Sequence, residues 1–273
     1  MGHPQIAAFA RLANGGAKPT RAIAGQNTLF NRTIHGMAYD PVRDEILVPG
    51  NHAFAILTFR GDANGDVPPV RKIFGPNTTL LNPSNVSIDP VHGEIFVAQG
   101  NRVVVFPRDA DGDVAPIRIL QGPDTGFLPR PNDTQRVTVD PVRNLLIASG
   151  AGGLRIFDRT ASGNTKPLRF IAGAGAKDVR LLTNNPANGM IFGAVRAGEN
   201  ENENIQGRYD LDDFVGVWSV FDDGNVPPRL TIGGPNLALK DARGIAIDPR
   251  HKNVIVSDKT LNAVLTFSVP EAF

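Results

Sequence analysis

Apolar and polar residues alternate with a period of two along most of the chain, in short runs separated by Gly, Pro, Asn and Asp. Residues 56–59 (ILTF), for example, lead into the turn sequence GDANGDVPP and then into a second alternating run that ends in Gly. No segment keeps the 3.6-residue period of an amphipathic helix. The pattern therefore predicts an all-β protein of short antiparallel strands joined by tight turns.

A long pattern recurs at intervals of about 50 residues, which is the spacing of radial repeat proteins. Aligned on its proline (Pro19, Pro69, Pro116, Pro167 and Pro228), each copy has an aromatic residue ten positions earlier: Phe9, Phe59, Phe106, Phe157 and Trp218. A second pattern, apolar-x-apolar-Asp-Pro before a β-branched run, has its turn residue at Asp40, Asp89, Asp140, Asn185 and Asp248. Each unit thus contains the material for four strands.

Four strands in about 50 residues are typical of a β-propeller blade, which buries its faces only against neighbouring blades. We predict a single domain over 1–273, a β-propeller of four-stranded antiparallel blades. Five blades are favoured over the alternative of six, because a six-blade ring needs strands that this chain lacks. The aromatic strand occurs a sixth time. We therefore expect residues 19–24 to pair with the C-terminal strand 264–267 and close the ring, which leaves 4–10 as a surplus strand.

The Asp-Pro pattern and the strand that follows it also suggest a family. Residues 245–267 read IAIDPRHKNVIVSDKTLNAVLTF, and residues 86–106 read VSIDPVHGEIFVAQGNRVVVF. Over nearly its whole length the chain resembles the bacterial NHL-type propeller repeats, from which it departs in blade number, since those propellers have six blades. The resemblance implies the fold. It implies no single function, because the family includes ligand-binding and protein-binding modules, RNA binders and a few lyases and hydrolases.

Composition and charge exclude several classes of protein. The chain has 28 Lys and Arg against 27 Asp and Glu, for a net charge of +1, and it has no cysteine. We therefore expect no nucleic-acid partner, no disulfide scaffold and no cysteine nucleophile. No apolar run is long enough to span a membrane, and we expect a monomer. We assign no compartment and keep export as an alternative. The opening residues do not resemble a signal peptide, but a signal peptide that has been removed leaves no trace in the sequence.

The residues that begin each inner strand form the predicted site, because the inner strands of a propeller line its centre. Arginine forks bind carboxylate or phosphate, so this position predicts a pocket for a small anionic ligand or an acidic protein segment. The alternative is that the neighbouring Asp and Arg residues form ion pairs between blades. The predicted ligand-binding residues are His35, Asn85, Gln135, Arg136, Arg180, Arg243, Asp133, Asp178 and Asp241.

Three functions are compatible with these residues. The favoured one is a non-enzymatic module that binds an anionic ligand or a protein segment. A second is a metal-dependent hydrolase or lyase of the NHL-like kind, with His35 and Asp133, Asp178 or Asp241 around a metal. The third is a passive or engineered scaffold without a ligand. No nucleophile elbow, phosphate-binding loop or zinc-protease motif occurs, so we assign no catalytic residue, no metal and no cofactor.

Two further segments carry acidic residues. The turns at 62–66 (DANGD) and 109–113 (DADGD) resemble calcium loops, but they lack the glutamate expected at loop position 12, and the equivalent turns at 12–16 and 160–164 lack the acids. We predict hairpin turns in which Gly supplies a positive φ. The insertion 197–213 is acidic, and both a role at the binding face and a solvated loop are left open.

Overall fold

The computed structural model describes residues 4–31, 34–128, 136–173, 175–195, 213–234, 237 and 239–273. The chain is all-β, and it divides into two compact units, Met1–Ile119 and Leu120–Phe273, with the boundary inside a strand. No helix in the described ranges has the length and apolar character needed to cross a membrane. The predicted fold class, four-stranded antiparallel blades of a β-propeller, is confirmed.

The first unit contains a two-stranded hairpin and two four-stranded sheets. The hairpin consists of β1 (Ile6–Ala8) and β2 (Arg21–Ile23). The next sheet has the order β3 (Ala38–Asp40), β4 (Glu45–Gly50), β5 (Ala55–Arg60) and β6 (Arg71–Phe74). The third has the order β7 (Asn85–Asp89), β8 (Glu94–Gln99), β9 (Arg102–Pro107) and β10 (Arg118–Leu120), and β10 holds the boundary between the units.

The second unit contains three sheets. The first consists of β11 (Val137–Asp140), β12 (Leu145–Gly150), β13 (Gly153–Asp158) and β14 (Arg169–Ala172), with β18 (Gly224–Asn225) added parallel to β14. The second consists of β15 (Val179–Asn185), β16 (Met190–Val195), β17 (Phe214–Ser219) and β19 (Leu230–Ile232). The third consists of β20 (Ala242–Asp248), β21 (Asn253–Asp258) and β22 (Ala263–Ser268).

Single-turn 3-10 helices occupy several of the connections. They span Gln26–Thr28, Asn51–Ala53, Pro76–Thr78, Pro123–Thr125 and Pro270–Ala272. In three of them a fully buried threonine hydroxyl donates to the carbonyl of the glycine three residues earlier, as Thr78 does to Gly75 at 2.6 Å. This repeated bond fixes the chain as it passes from a fourth strand to the next inner strand.

The hydrophobic core lies between successive sheets, as a propeller requires. The predicted aromatic positions fill it in the complete sheets, where Phe59, Phe106, Phe157 and Trp218 are 0% exposed. In the hairpin the equivalent Phe9 is 49% exposed. The aromatic pattern therefore predicts core positions correctly wherever a complete sheet surrounds the residue.

The predicted strand partner of residues 19–24 was wrong. β2 pairs with β1, Ile6 opposite Ile23, in the same register that joins the third and fourth strands of a complete sheet, such as Ile56 opposite Ile73. Among the described residues β22 pairs only with β21. A hairpin between neighbouring segments costs less chain entropy than a pairing across the whole sequence, and β1 supplies the partner that the prediction treated as surplus.

The turns that resemble calcium loops instead join each sheet to the strand before it. The turn glycine forms a parallel bridge with a fourth strand, as Gly112 does with Ile73, and the acid that directly follows the glycine accepts a hydrogen bond from the backbone. Asp113 accepts from the backbone N of Asn77 at 2.8 Å and from its Nδ2 at 3.0 Å. Asp66 and Asn27 repeat this arrangement. We call each such contact a turn joint.

A glycine is required on the receiving side of each turn joint. A Cβ on Gly75, whose φ is 134°, would lie 2.3 Å from the carboxyl carbon of Asp113. Gly25 has the same conformation and the same clash with Asp66. The glycine at the end of each fourth strand, visible in the sequence, is therefore explained by close approach as well as by backbone conformation.

Candidate functional site: an arginine cluster in the second unit

The inner strands β11, β15 and β20 lie side by side in the second unit, and each begins with a predicted arginine. Arg136 directly precedes β11, Arg180 is the second residue of β15, and Arg243 is the second residue of β20. We call these three residues the arginine cluster. Five of the predicted site residues, the three arginines with Asp178 and Asp241, therefore fall on this one set of strand ends.

Two of the arginines occupy β-bulges. The pairing of β15 with β16 shifts between Val179 and Leu181, which leaves Arg180 without an opposite residue. The pairing of β20 with β21 shifts in the same way around Arg243. A bulge locally redirects a side chain and is frequent beside functional sites. The same strand end therefore carries the same irregularity and the same residue type twice.

Each bulged arginine is held by an aspartate two residues earlier. Nε of Arg180 donates to both carboxylate oxygens of Asp178 at 3.2 Å, and Nη2 of Arg243 donates to Oδ2 of Asp241 at 3.0 Å. The two arginine side chains are each 43% exposed. The expectation of ion pairs is thus met for these residues, but each pair lies within one strand end and does not link two blades.

Arg136 is the buried member of the cluster. It is 8% exposed, and its backbone N donates to Oγ of Ser149 at 3.2 Å while its carbonyl accepts from the Ser149 backbone N at 2.9 Å. Burial first, and then repulsion from Arg180 and Arg243, together lower the pKa of its guanidinium to about 10. Arg180 and Arg243 therefore lie close enough for their charges to act on the guanidinium of Arg136, which is buried where water screens poorly.

The carboxylates of Asp258 and Asp213 accept hydrogen bonds from the backbone that leads into β20. Oδ2 of Asp258 accepts from the backbone N of Lys240 at 2.7 Å and of Asp241 at 2.9 Å, and Oδ2 of Asp213 accepts from Ala242 at 3.0 Å. Burial raises the pKa of Asp258, but the backbone donors outweigh it, so the net shift is downward. Asp258 therefore stays ionised at neutral pH. Together with Asp213 it fixes the backbone around Asp241, which in turn holds Arg243.

Sequence reasoning missed Asp258 and Asp213, although one signal was available. Asp258 is the last residue of β21, and Gln99 is the last residue of β8, so each ends the second strand of its sheet. Oε1 of Gln99 accepts from the backbone N of Leu81 at 2.6 Å, a role that matches that of Asp258. A polar residue at the end of a second strand therefore indicates a side chain that accepts hydrogen bonds from the backbone before the inner strand.

The first unit contains the other described residues of the predicted site. His35 is exposed and precedes β3, and Asn85 begins β7. A Cβ on Gly36 would lie 3.1 Å from Nδ2 of Asn85, so the residue after His35 packs against that amide. These two predicted residues therefore belong to neighbouring strand ends of the first unit.

The remaining predictions concern individual residues and a possible metal site. Gln135 and Asp133 lie outside the described residues, as does most of the insertion 197–213. Within the described ranges, no three His, Asp or Glu side chains are grouped so that they could hold a metal ion. Nδ1 of His92 lies 2.7 Å from Oδ2 of Asp89, the head of its own turn, and His251 makes the same contact with Asp248.

Comparisons with known proteins address the fold. No protein-family model matches the chain, and no curated protein sequence matches it. The chain is similar to one in a crystal structure of a nidogen/laminin complex, with a TM-score of 0.64 and 14% identity over 100% of this chain and 88% of that chain. It is also similar to a chain of Kuenenia stuttgartiensis hydrazine synthase, with a TM-score of 0.55 and 8% identity over 90% of this chain and 58% of that chain. At such identities the likeness shows the fold alone.

Proposed function

We propose that the chain is a non-enzymatic propeller module that binds a small anionic ligand, or an acidic side chain of a protein segment, at the arginine cluster. The observation that carries the proposal is the placement of three guanidinium groups at adjacent strand ends, with Arg136 buried among them. Mutual repulsion of cations in a poorly screened position costs free energy, and a bound anion relieves it. The net charge of +1 means that this attraction is local and does not come from the whole molecule.

One comparison supports the protein-segment form of the ligand. The nidogen/laminin structure is, by its description, a complex between proteins. We also propose that the chain is a monomer and that it is related to the NHL-type repeats, which it resembles in the Asp-Pro strands at 86–106 and 245–267. No observation on the described residues specifically favours the hydrolase or lyase alternative.

The proposal is tested by thermal unfolding in sodium acetate, sodium phosphate and an oligoglutamate peptide, each compared with sodium chloride at equal ionic strength. An anion at ten times its Kd adds about 1.4 kcal/mol to the free energy of unfolding, which raises Tm by about 4 °C for a domain of this size. Arg136→Gln should remove the shift. Arg60→Gln, which alters an exposed arginine paired with Asp62, should retain it.

General salt effects are common to both variants, so the comparison isolates the cluster. Equal responses to all anions and chloride, or equal responses in both variants, would contradict the proposed function.

A further inference from the structure

The side of β22 that faces away from β21, which we call the outer edge, is unpaired within the described part of the chain. The third strands β5, β9, β13 and β17 each pair with a fourth strand, whereas the sheet β20–β22 ends at β22. The backbone N of Val269 donates to the carbonyl of Lys252 at 2.9 Å, and bonded pairs alternate along an antiparallel ladder. The backbone groups of Val264 and Thr266 therefore point to the outer edge.

The side chains of β22 are exposed where their counterparts are buried. Val264 is 62% exposed, and the residues at its position in the complete sheets are 0% exposed: Ile56, Val103, Leu154 and Val215. Thr266 is exposed as well, whereas its counterpart Thr58 is 2% exposed. The sequence of β22, AVLTFS, has none of the charges or prolines that protect edge strands from pairing. β22 therefore keeps the pairing capacity of a third strand.

The segments that pair with third-type strands elsewhere in the chain show which sequence fits such an edge. In each of them an aliphatic residue lies four positions after a proline, in residues 19–25, 69–75, 116–122, 167–173 and 228–234. This residue is at most 7% exposed in all five: Ile23, Ile73, Leu120, Ile171 and Ile232. Ile73 lies opposite Ile56, the counterpart of Val264, and the backbone N of Val70 donates to the carbonyl of Thr58 at 2.7 Å.

These five segments are already paired, each with the strand before it in its own sheet or hairpin. A second copy of the chain therefore has no spare segment of this pattern among its described residues. The sequence that fits the outer edge of β22 has to come from another protein.

We propose that the outer edge of β22 is a second binding surface, distinct from the arginine cluster, and that it takes an extended segment of a partner protein as an added antiparallel strand. The segment has the pattern Pro-x-x-x-Ile/Leu. Its aliphatic residue lies opposite Val264, and the residue after its proline donates to the carbonyl of Thr266. Main-chain hydrogen bonds supply the affinity, and the aliphatic residue sets the register.

One feature of the internal segments is not part of the required pattern. Arg71, two residues after Pro69, pairs with Glu45 at the start of the second strand of its sheet. Asn253 occupies the position of Glu45 in β21. A partner segment therefore gains no ion pair from an arginine there, and the pattern leaves that position open.

The test measures binding of a labelled, C-terminally amidated peptide with the sequence of residues 67–76, VPPVRKIFGP, to the full chain by fluorescence anisotropy. Methylation of the peptide's Ile73 backbone N should weaken binding about tenfold, because this N–H points to the third strand. Methylation of the Lys72 backbone N is the matched control and should weaken it less than about threefold. In the sheet β3–β6 that N–H points away from β5 and donates to Asp111 at 2.8 Å.

Two variants of the chain locate the bound peptide. Val264→Lys should weaken binding of the unmodified peptide about tenfold, because a charged side chain opposite the aliphatic residue opposes strand addition. Val42→Lys makes the same change at a 66%-exposed valine in a turn and should bind the peptide as the wild type does. Both side chains are exposed, and equal melting temperatures will verify that both variants fold.

Failure of the unmodified peptide to bind at about 1 mM would overturn the proposal, as would equal losses for the two methylated peptides or for the two lysine variants. Light scattering tests the other occupant: a wild-type dimer that Val264→Lys dissociates would show that a second copy fills the edge, against the proposal. The peptide has two basic side chains and no carboxylate, so it does not report on the arginine cluster, and the proposed function is tested separately.

Discussion

At the scale of single residues, the polar side chains of the glycine-centred turns show how one carboxylate connects two sheets. Asp113 bonds to the backbone and the side chain of Asn77, which lies after the fourth strand of the preceding sheet. Asn164 and Asp124 make the equivalent contact in the second unit. The acid or amide that directly follows the turn glycine therefore serves packing between sheets.

The turn joint predicts that substitutions of two polar turn residues differ in their effect on stability. Asp113→Ala removes an acceptor from two donors and should lower the free energy of unfolding by about 1 kcal/mol. Asn14→Ala is the control, because among the described residues Oδ1 of Asn14 accepts only from the backbone N of its neighbour Gly15, at 2.7 Å. A substitution at such an exposed position should change stability by less than about 0.5 kcal/mol. Urea unfolding measures both. Equal effects of the two substitutions would show that the joint adds no stability.

At the scale of the strand, the sheet β15–β19 accommodates a larger aromatic residue than its neighbours. Trp218 occupies the position of Phe59, Phe106 and Phe157 and is fully buried. A Cβ on Gly216 would lie 2.4 Å from its ring, and one on Gly193 would lie 3.2 Å from it. The opposed glycines, which face each other across β16 and β17, provide the space for the indole.

Because Gly216 leaves space for the indole, we predict that substitutions at Gly216 and Trp218 are strongly coupled in their effect on stability. Gly216→Ala should destabilise the wild type by about 1–3 kcal/mol, because the new methyl overlaps the ring of Trp218. In the Trp218→Phe background the overlap is gone, and the same substitution should be neutral or favourable, since alanine is preferred to glycine inside a strand. A double-mutant cycle by chemical denaturation measures the coupling. Additive effects would contradict this explanation.

The sequence predicted the strands better than their pairing. A fixed distance of ten residues between the aromatic and the proline located Phe59, Phe106 and Phe157 in the core. It did not locate the bulges at Arg180 and Arg243, because a bulge is a relation between two strands and has no signature within one. The ion pairs could be predicted from spacing, whereas the burial of Arg136 follows only from the packing of neighbouring strands.

At the scale of the whole molecule, the acidic turns raise the question of calcium. Asp66 and Asp113 already accept backbone and side-chain N–H groups, and these carboxylates are the residues that made the turns resemble calcium loops. Their hydrogen bonds explain why acids recur there, and we therefore predict that the turns bind no calcium.

Calcium and chelator should accordingly have little effect. We expect millimolar Ca²⁺ or EDTA to change Tm by less than about 1 °C, a range within which no substantial binding linkage operates. Differential scanning calorimetry with and without each reagent measures this. A rise of several degrees in Ca²⁺ that Asp111→Asn abolishes would show that the turns do bind the ion.

The turn joints also bear on how such a chain could have lengthened. In the sheets β3–β6, β7–β10 and β11–β14, the turn glycine bridges the fourth strand that precedes the sheet, and the sheet's own glycine-ended fourth strand receives the next turn, so each of these copies carries both complementary halves of the connection. Tandem duplication of one unit of about 50 residues would create a matched junction at each new border without any compensating substitution. Selection could then diversify the inner-strand ends of individual copies, as at Arg180 and Arg243, while the connections that hold the copies together stayed interchangeable.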